Sequence, residues 1–326
     1  MFYLQRAARH GKQLRQLGNN VQNTVKQAVV FTGVGLHSGQ PVRMTIQPAS
    51  TDYGIWFRRT DILIGDAMIP ARWDAVEQTA LCTRIVNASG VSLSTIEHIM
   101  AALAGTGVHN ALIEIDGPEV PILDGSSAEF VRAILEAGLI AQRAKVRALQ
   151  ILKPVTVRRG EAQATLTPAD SLQIDFHINF EDEAIGIQDK SLAMSNGTFV
   201  RELCDSRTFC RKADVDEMHA NGLALGGTLE NAVVVDGDDV LSPGGLRHDD
   251  EAVRHKMLDA LGDLYTAGAP ILGRYEGIRA GHSLTNELLR ALFSTPDAFR
   301  VVECDAPTAA RLPGVGVHLA EMPAVA

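Results

Sequence analysis

Several absences narrow what this chain of 326 residues can be. Cys82, Cys204, Cys210 and Cys304 are scattered and form no CxxC pair. Neither a disulfide framework nor a zinc knuckle is expected from them, and reduced thiols in a cytoplasmic protein are. No apolar run approaches eighteen residues, which excludes a membrane-spanning helix. An overall positive charge is also missing: the net charge is −9, which argues against nucleic acid as a partner. Acidic residues are absent from the first stretch, where none precedes Asp52 while Arg6, Arg9, Lys12, Arg15 and Lys26 all do. Residues 1–23 lack the apolar core of a secretory signal. Three readings of them stay open: a basic amphipathic helix in peripheral contact with a membrane, a targeting segment, or a poorly ordered extension.

With 46% hydrophobic and 21% charged residues, the chain has the make-up of a globular protein long enough for two domains. Val29 to Pro48 reads as a hairpin around Gly33–Leu36, with strand-like alternation in Pro41–Ile46. Short extended pieces are expected at Ile55–Phe57 and Leu81–Thr83. Ser94 to Leu103 reads as a helix, with Ser94 three residues before Glu97 as in a capping box. Asn110–Ile115 is a strand, and the Asp124-Gly125-Ser126 turn leads into a helix over Ala128–Ala137. A comparable order recurs after Ala148. Strands are expected at Leu149–Val157, Ala162–Pro168, Leu172–Asn179, Ala232–Val235 and Tyr275–Ala280, and helices at Thr198–Cys204, Asp250–Ala267 and Leu284–Phe293. Frequent hairpins among the helices point to two α+β domains, with the basic run Gln142–Arg147 as the boundary. No short sequence repeat is present, so any duplication is one of architecture.

His255 and Asp259 stand four residues apart in the long helix, hence on one face, one turn apart. Val253, Met257, Leu261 and Leu264 form the apolar face, while His255, Asp259 and Asp263 form a separate stripe with Lys256 at its edge. On helix geometry alone a solvated polar stripe is the favoured reading. Glu97-His98 is open to an equally plain reading, a capping residue and a half-buried histidine. A histidine in Gly281-His282-Ser283, between strand and helix, is often a cap-region residue; it can also act as a general acid oriented by a carboxylate such as Asp263. Taken together, two histidines, one aspartate and a spare glutamate fit a three-ligand catalytic zinc with a carboxylate base beside it.

Six motifs then occur in order: Thr32–Gly39 (TGVGLHSG), Ser94–His98 (STIEH), Pro121–Ser126 (PILDGS), Ser206–Phe209 (SRTF), Val253–Asp259 (VRHKMLD) and Gly281-His282. In these the chain resembles the UDP-3-O-acyl-N-acetylglucosamine deacetylases, zinc enzymes of lipid A biosynthesis in Gram-negative bacteria. The resemblance spans Thr24 to Ala306 and implies roles residue by residue. His98, His255 and Asp259 match the zinc ligands, Glu97 the general base, and His282 the general acid oriented by Asp263. Lys256 and Thr208 match residues that stabilise the oxyanion, and Phe209 a substrate contact. Phe180 matches an aromatic implicated in nucleotide binding, and Arg279 a basic residue near the diphosphate. The implied fold is two similar α+β domains, 24–146 and 147–306, each a sheet layered against helices with the active site at their interface. The second carries an insert near 210–228 that forms an apolar passage for the acyl chain, and residues 307–326 form a tail. A monomer acting on a UDP-linked acylated amino sugar is expected. Where the family continues Thr-Phe with a glycine and an aromatic, this chain has Cys210-Arg211. A zinc amidohydrolase acting on another N-acyl sugar, and a paralogue that binds without catalysis, remain as alternatives.

Overall fold

The computed structural model describes residues 20–79 and 81–324; residues 1–19 of the basic N-terminal segment read above lie outside them. The fold has two main sheets with the same wiring. In the first, the hairpin Val29–Val34/Pro41–Pro48 lies antiparallel to a central strand, Ala111–Ile115. That strand runs parallel to Ile55–Arg59, which pairs antiparallel with Met68–Pro70. In the second, the hairpin Val155–Arg159/Ala162–Pro168 lies antiparallel to Ile271–Ile278. That strand runs parallel to Gln173–Asn179, which pairs antiparallel with Ile187–Ala193. Arg147–Ile151 and Phe299–Glu303 extend the second sheet beside the start of Ile271–Ile278. The duplication is thus one of topology without a sequence repeat, and the mixed α+β architecture expected from the chain is the one observed.

Each central strand is flanked by two helices. Helix α1 (Glu97–Thr106) precedes the first and α2 (Ala128–Ala137) follows it; two shorter helices, α3 (Thr198–Glu202) and α4 (Lys212–Ala220), come next. Helix α5 (Glu251–Tyr265) precedes the second central strand and α6 (His282–Ser294) follows it. Strands face their helices through period-two alternation: Val42, Met44 and Ile46 are buried in one sheet, Ile174, Phe176 and Ile178 in the other. The basic run Gln142–Arg147 is extended backbone, most of it in a strand, Leu139–Lys145, that pairs with Val21–Val25. The extended stretch Leu149–Val157 is two strands, interrupted at residues 152–154.

The two halves meet through α1 and α5. Every residue of α1 is buried, and it ends at Gly107 in the left-handed conformation that a helix terminus commonly needs. In α5 only Arg254 and Lys256 escape burial, so the His255/Asp259/Asp263 stripe is not solvated. That reading fails because amphipathicity assumes one packed face, whereas α5 is packed nearly all round. The contact is close enough to demand glycine. A Cβ on Gly262 would lie 2.0 Å from the Glu97 carbonyl oxygen and 2.9 Å from its carbon. Nearer the other end of α1, a Cβ on Gly105 would collide with the Phe199 ring at 1.9 Å. Tyr265 Oη donates to the Val108 carbonyl at 2.8 Å and ties the end of α5 to the chain leaving α1.

Gly262→Ala separates two opposed effects. Alanine in a helix interior is worth about 1 kcal/mol more than glycine, whereas overpacking a close contact costs about 1–3 kcal/mol or more. The clash is with backbone, which has nowhere to turn, so the variant is expected to melt at a lower temperature than the parent. A higher melting point would contradict the close approach.

Candidate active site

Helix α1 begins in a strained turn. Thr95 has φ 61°, a left-handed conformation that a β-branched residue seldom adopts. Its hydroxyl is held by Glu119 Oε1 at 2.8 Å, and Ser94 is bridged to Glu119 through the backbone. This turn displaces Ser94, and the capping box does not form: the residue ahead of the helix is Ile96, and no side chain caps it. The Glu97 carboxylate instead turns inward, where Oε2 accepts the Thr83 N–H at 2.9 Å. His98 follows into the same space, and its carbonyl accepts the Ser127 hydroxyl at 2.8 Å, fixing α1 to the start of α2.

From α5, His255 and Asp259 point at His98. One ligand atom from each of the three lies within 4.8 Å of the others. Asp259 Oδ1 stands 3.6 Å from His98 Nε2 and 3.2 Å from His255 Nε2. His255 Nδ1 lies 3.0 Å from the Ser206 carbonyl, to which it donates, so the Nε2 lone pair is left facing Asp259. Asp259 Oδ1 is buried and has no hydrogen-bond partner among the described residues. A buried anionic oxygen without a donor is unfavourable. Two imidazole nitrogens and a carboxylate oxygen converging on one point are a donor set that a borderline-soft divalent cation fits. Burial, and the neighbouring His255 ring, push the pKa of His98 down to about 3, which keeps its imidazole neutral as a ligand must be.

The remaining titratable groups close around that cluster. His282 opens α6 and its Nδ1 lies 2.9 Å from Asp263 Oδ2, while its Nε2 is 3.9 Å from Glu97 Oε1 and 3.8 Å from Asp259 Oδ2. Burial works against a charge on His282, but Asp263, Asp259 and Glu97 outweigh it and hold its pKa up at about 9. Glu97 moves the other way for a carboxylate: burial, opposed by His282 and aided by Asp259 and Asp263, raises it to about 7. Lys256 Nζ donates to Asp259 Oδ2 at 2.9 Å; burial disfavours its charge, yet Asp259, Asp263 and Glu97 raise its pKa.

All these groups except Asp263 line one cavity of about 970 Å³, together with Thr208, Phe209, Phe180 and Arg279. Thr208 is pinned by its N–H to the Gly125 carbonyl at 2.8 Å and by its own carbonyl, which accepts Val233 N–H at 2.7 Å. Phe209 packs edge-on to Phe180 at 5.4 Å and to His255 at 6.3 Å between ring centroids. Arg279 sits at φ 49° where the second central strand ends, and pairs with Glu161. Every residue singled out in the sequence is therefore in or beside one site. The turn at Asp124-Gly125-Ser126 contributes indirectly: a Cβ on Gly125 would lie 1.9 Å from the Asn231 carbonyl oxygen, next to the strand that follows Thr208.

Sequence reasoning missed the residues that hold the others. Thr83 serves two carboxylates, its N–H donating to Glu97 and its hydroxyl to Asp263. Glu119 takes the backbone N–H groups of His37 and Ser38 at 2.9 and 2.8 Å, and His37 lines the cavity with both ring nitrogens buried and without partners among the described residues. Such contacts join positions far apart in the chain and leave no local signature.

Asp263 is the first of the charges raising the His282 pKa, so Asp263→Asn in the metal-free protein is expected to bring His282 down from about 9 toward histidine's ordinary 6.5. A folded-state pKa above the unfolded one stabilises the protein below pH 6.5, and that contribution is lost as the pH rises through about 9. An NMR titration in which His282 is unmoved by the substitution would refute the assignment.

A family model described as UDP-3-O-acyl N-acetylglycosamine deacetylase matches residues 22–294. Two relatives carry the name UDP-3-O-acyl-N-acetylglucosamine deacetylase. One, from Phenylobacterium zucineum, is 50% identical over 280 residues, covering 86% of this chain and 96% of the relative. The other, from Shewanella frigidimarina, is 45% identical over 304 residues, covering 91% of this chain and 99% of the relative. With the fold, the ordered motifs and the clustered site in agreement with these matches, the chain belongs to the UDP-3-O-acyl N-acetylglycosamine deacetylase family.

Proposed function

We propose that this protein hydrolyses the N-acetyl group of UDP-3-O-acyl-N-acetylglucosamine, with zinc held by His98, His255 and Asp259, releasing acetate and the free amine. The observation that carries this reading is the pairing of a ready-made ligand cluster with two proton-transfer groups of opposite character, Glu97 and His282, around one cavity. When bound, zinc supplies Lewis acidity, polarising a carbonyl and lowering the pKa of water toward about 7. Glu97 takes the proton of the attacking water as its oxygen adds to the acetyl carbon; a carboxylate poised near neutrality suits that task. Lys256 and the Thr208 hydroxyl face the negative charge that develops on the former carbonyl oxygen. His282, protonated at neutral pH and oriented by Asp263, delivers its proton to the departing nitrogen, without which an amide leaves poorly.

The rest of the cavity suits a substrate with three chemically different ends. Phe180, Phe209 and Arg279 offer aromatic and cationic surface to the nucleotide diphosphate. The insert near 210–228 and the chain that follows it add Val215, Met218, Leu223, Leu229 and Val234 to the lining, apolar surface suited to a passage for the acyl chain. Cys210 and Arg211 stand at this passage, so they are part of what sets its width. In this reading the protein is a cytoplasmic monomer of two α+β domains, 24–146 and 147–306, that serves lipid A biosynthesis. No described helix is long and apolar enough to cross a membrane.

Acetate release from UDP-3-O-acyl-N-acetylglucosamine by the purified protein, with metal analysis, tests the proposal. Glu97→Ala and His282→Ala are each expected to lose about 10²–10⁴ in turnover while retaining zinc; wild-type turnover in either variant removes that residue's role. His255→Ala is expected to lose the metal, and full zinc occupancy in that variant would refute the ligand set. Equal rates on analogues lacking the UDP or the acyl group would redirect the reading to another N-acyl sugar.

A further inference from the structure

The carbonyl that holds His255 belongs to a peptide gripped from both sides. Ser206 O accepts from His255 Nδ1 at 3.0 Å, and the N–H of the same peptide unit, on Arg207, donates to Glu251 Oε1 at 2.9 Å. Glu251 and His255 are four residues apart on α5, so one face of one helix turn clasps both ends of a single peptide group. Glu251 is itself saturated. Arg207 Nε donates to Oε1 at 2.9 Å and Nη2 to Oε2 at 3.1 Å, and the Arg247 N–H reaches Oε2 at 2.7 Å. Arg207 Nη2 also donates to the Gly245 carbonyl at 2.7 Å. The pair is sealed from solvent, with side chains 6% and 1% exposed. The next two residues along, Thr208 and Phe209, line the cavity.

A buried ion pair is a poor device for stability, because apolar residues of similar volume often serve as well or better. What apolar residues cannot do is hold a peptide N–H in place. We infer that the Glu251–Arg207 pair is a positioning device for the metal site. It fixes the Ser206–Arg207 peptide, the peptide carbonyl keeps His255 in the tautomer with hydrogen on Nδ1, and Nε2 is thereby left free to bind the metal. The same anchor sets where Thr208 and Phe209 enter the cavity. The inference rests on reading His98, His255 and Asp259 as a zinc site.

The test compares Zn²⁺ affinity, measured by competition with a chromogenic chelator, in the parent chain, Glu251→Gln, the double variant Arg207→Met/Glu251→Met, and Arg254→Gln. The last, on the same helix as Glu251, removes the ion pairs of Arg254 with Glu202 of α3 and with Asp250 ahead of α5, and leaves the clasped peptide intact. Loss of an outer-shell partner typically weakens metal binding about 10–100-fold. That loss is expected in Glu251→Gln and in the double variant, with wild-type affinity in Arg254→Gln. The ¹⁵N resonances of His255 in the metal-free protein are expected to move toward a mixture of tautomers in the first two variants only. The double variant tests the device even where Glu251→Gln does not fold. The inference is overturned by wild-type affinity in a folded Glu251 variant, by an equal loss in Arg254→Gln, or by a double variant that cannot fold, since the pair would then be needed for the fold itself. Failure of the parent chain to bind Zn²⁺ would instead overturn the metal reading.

Discussion

The site depends on how closely two helices approach. With no side chain at Gly262, α5 lies against the first turn of α1, and a Cβ there would collide with the Glu97 carbonyl. That contact fixes the distance between His98 on one helix and His255 and Asp259 on the other. It also sets Glu97 near His282 and Asp263, which come from the second half of the chain. Because packed interiors are dense and resist deformation, a shift of one helix would be felt at the ligand cluster. The helices belong to sheets of identical wiring, so the site sits where the corresponding helices of two like units face each other.

Closing that contact buries an unusual density of charge. Glu97, Asp259 and Asp263 share the space with His98, His255, His282 and Lys256, all but Lys256 and His282 almost fully buried. Like groups do not behave alike there. Asp259, despite burial, is held well below the usual carboxylate range by His255, Lys256 and His282, whereas Glu97 is pushed up to about 7. His98 falls to about 3 and His282 rises to about 9. Pairs of similar side chains driven apart in this way are what acid and base partners require. The division comes from what each group faces: His282 looks at three carboxylates, while His98 is next to a second imidazole.

Around these groups runs a set of backbone contacts that leave little freedom. Thr83 steadies both Glu97 and Asp263, Ser127 holds the carbonyl of His98, and the Ser206 carbonyl aligns His255. Glu119 secures the strained turn at Thr95 together with the loop carrying His37. The site is therefore preorganised by peptides and hydroxyls as much as by its titratable side chains, as a site that must hold its groups within fractions of an ångström requires.

The sequence by itself determined the local parts. Helical period put His255 and Asp259 on one face, strand-like alternation marked Pro41–Ile46, and the ordered motifs contained Glu97, His98, Thr208, Phe209, His255, Lys256, Asp259 and His282, all now found at the cavity. These follow from interactions within a few residues along the chain. Burial does not. Taken alone, the stripe on α5 read as solvated, because nothing nearby in sequence announces the helix that covers it. The Ser94–Glu97 spacing suggested a cap, because the positive φ at Thr95 depends on Glu119 being there to hold it. Only the tertiary structure decided which carbonyl fixes His255, which residue joins Glu97 to Asp263, and that the two halves share one wiring. Each of those contacts joins residues distant in sequence, whose meeting depends on the whole chain packing at once.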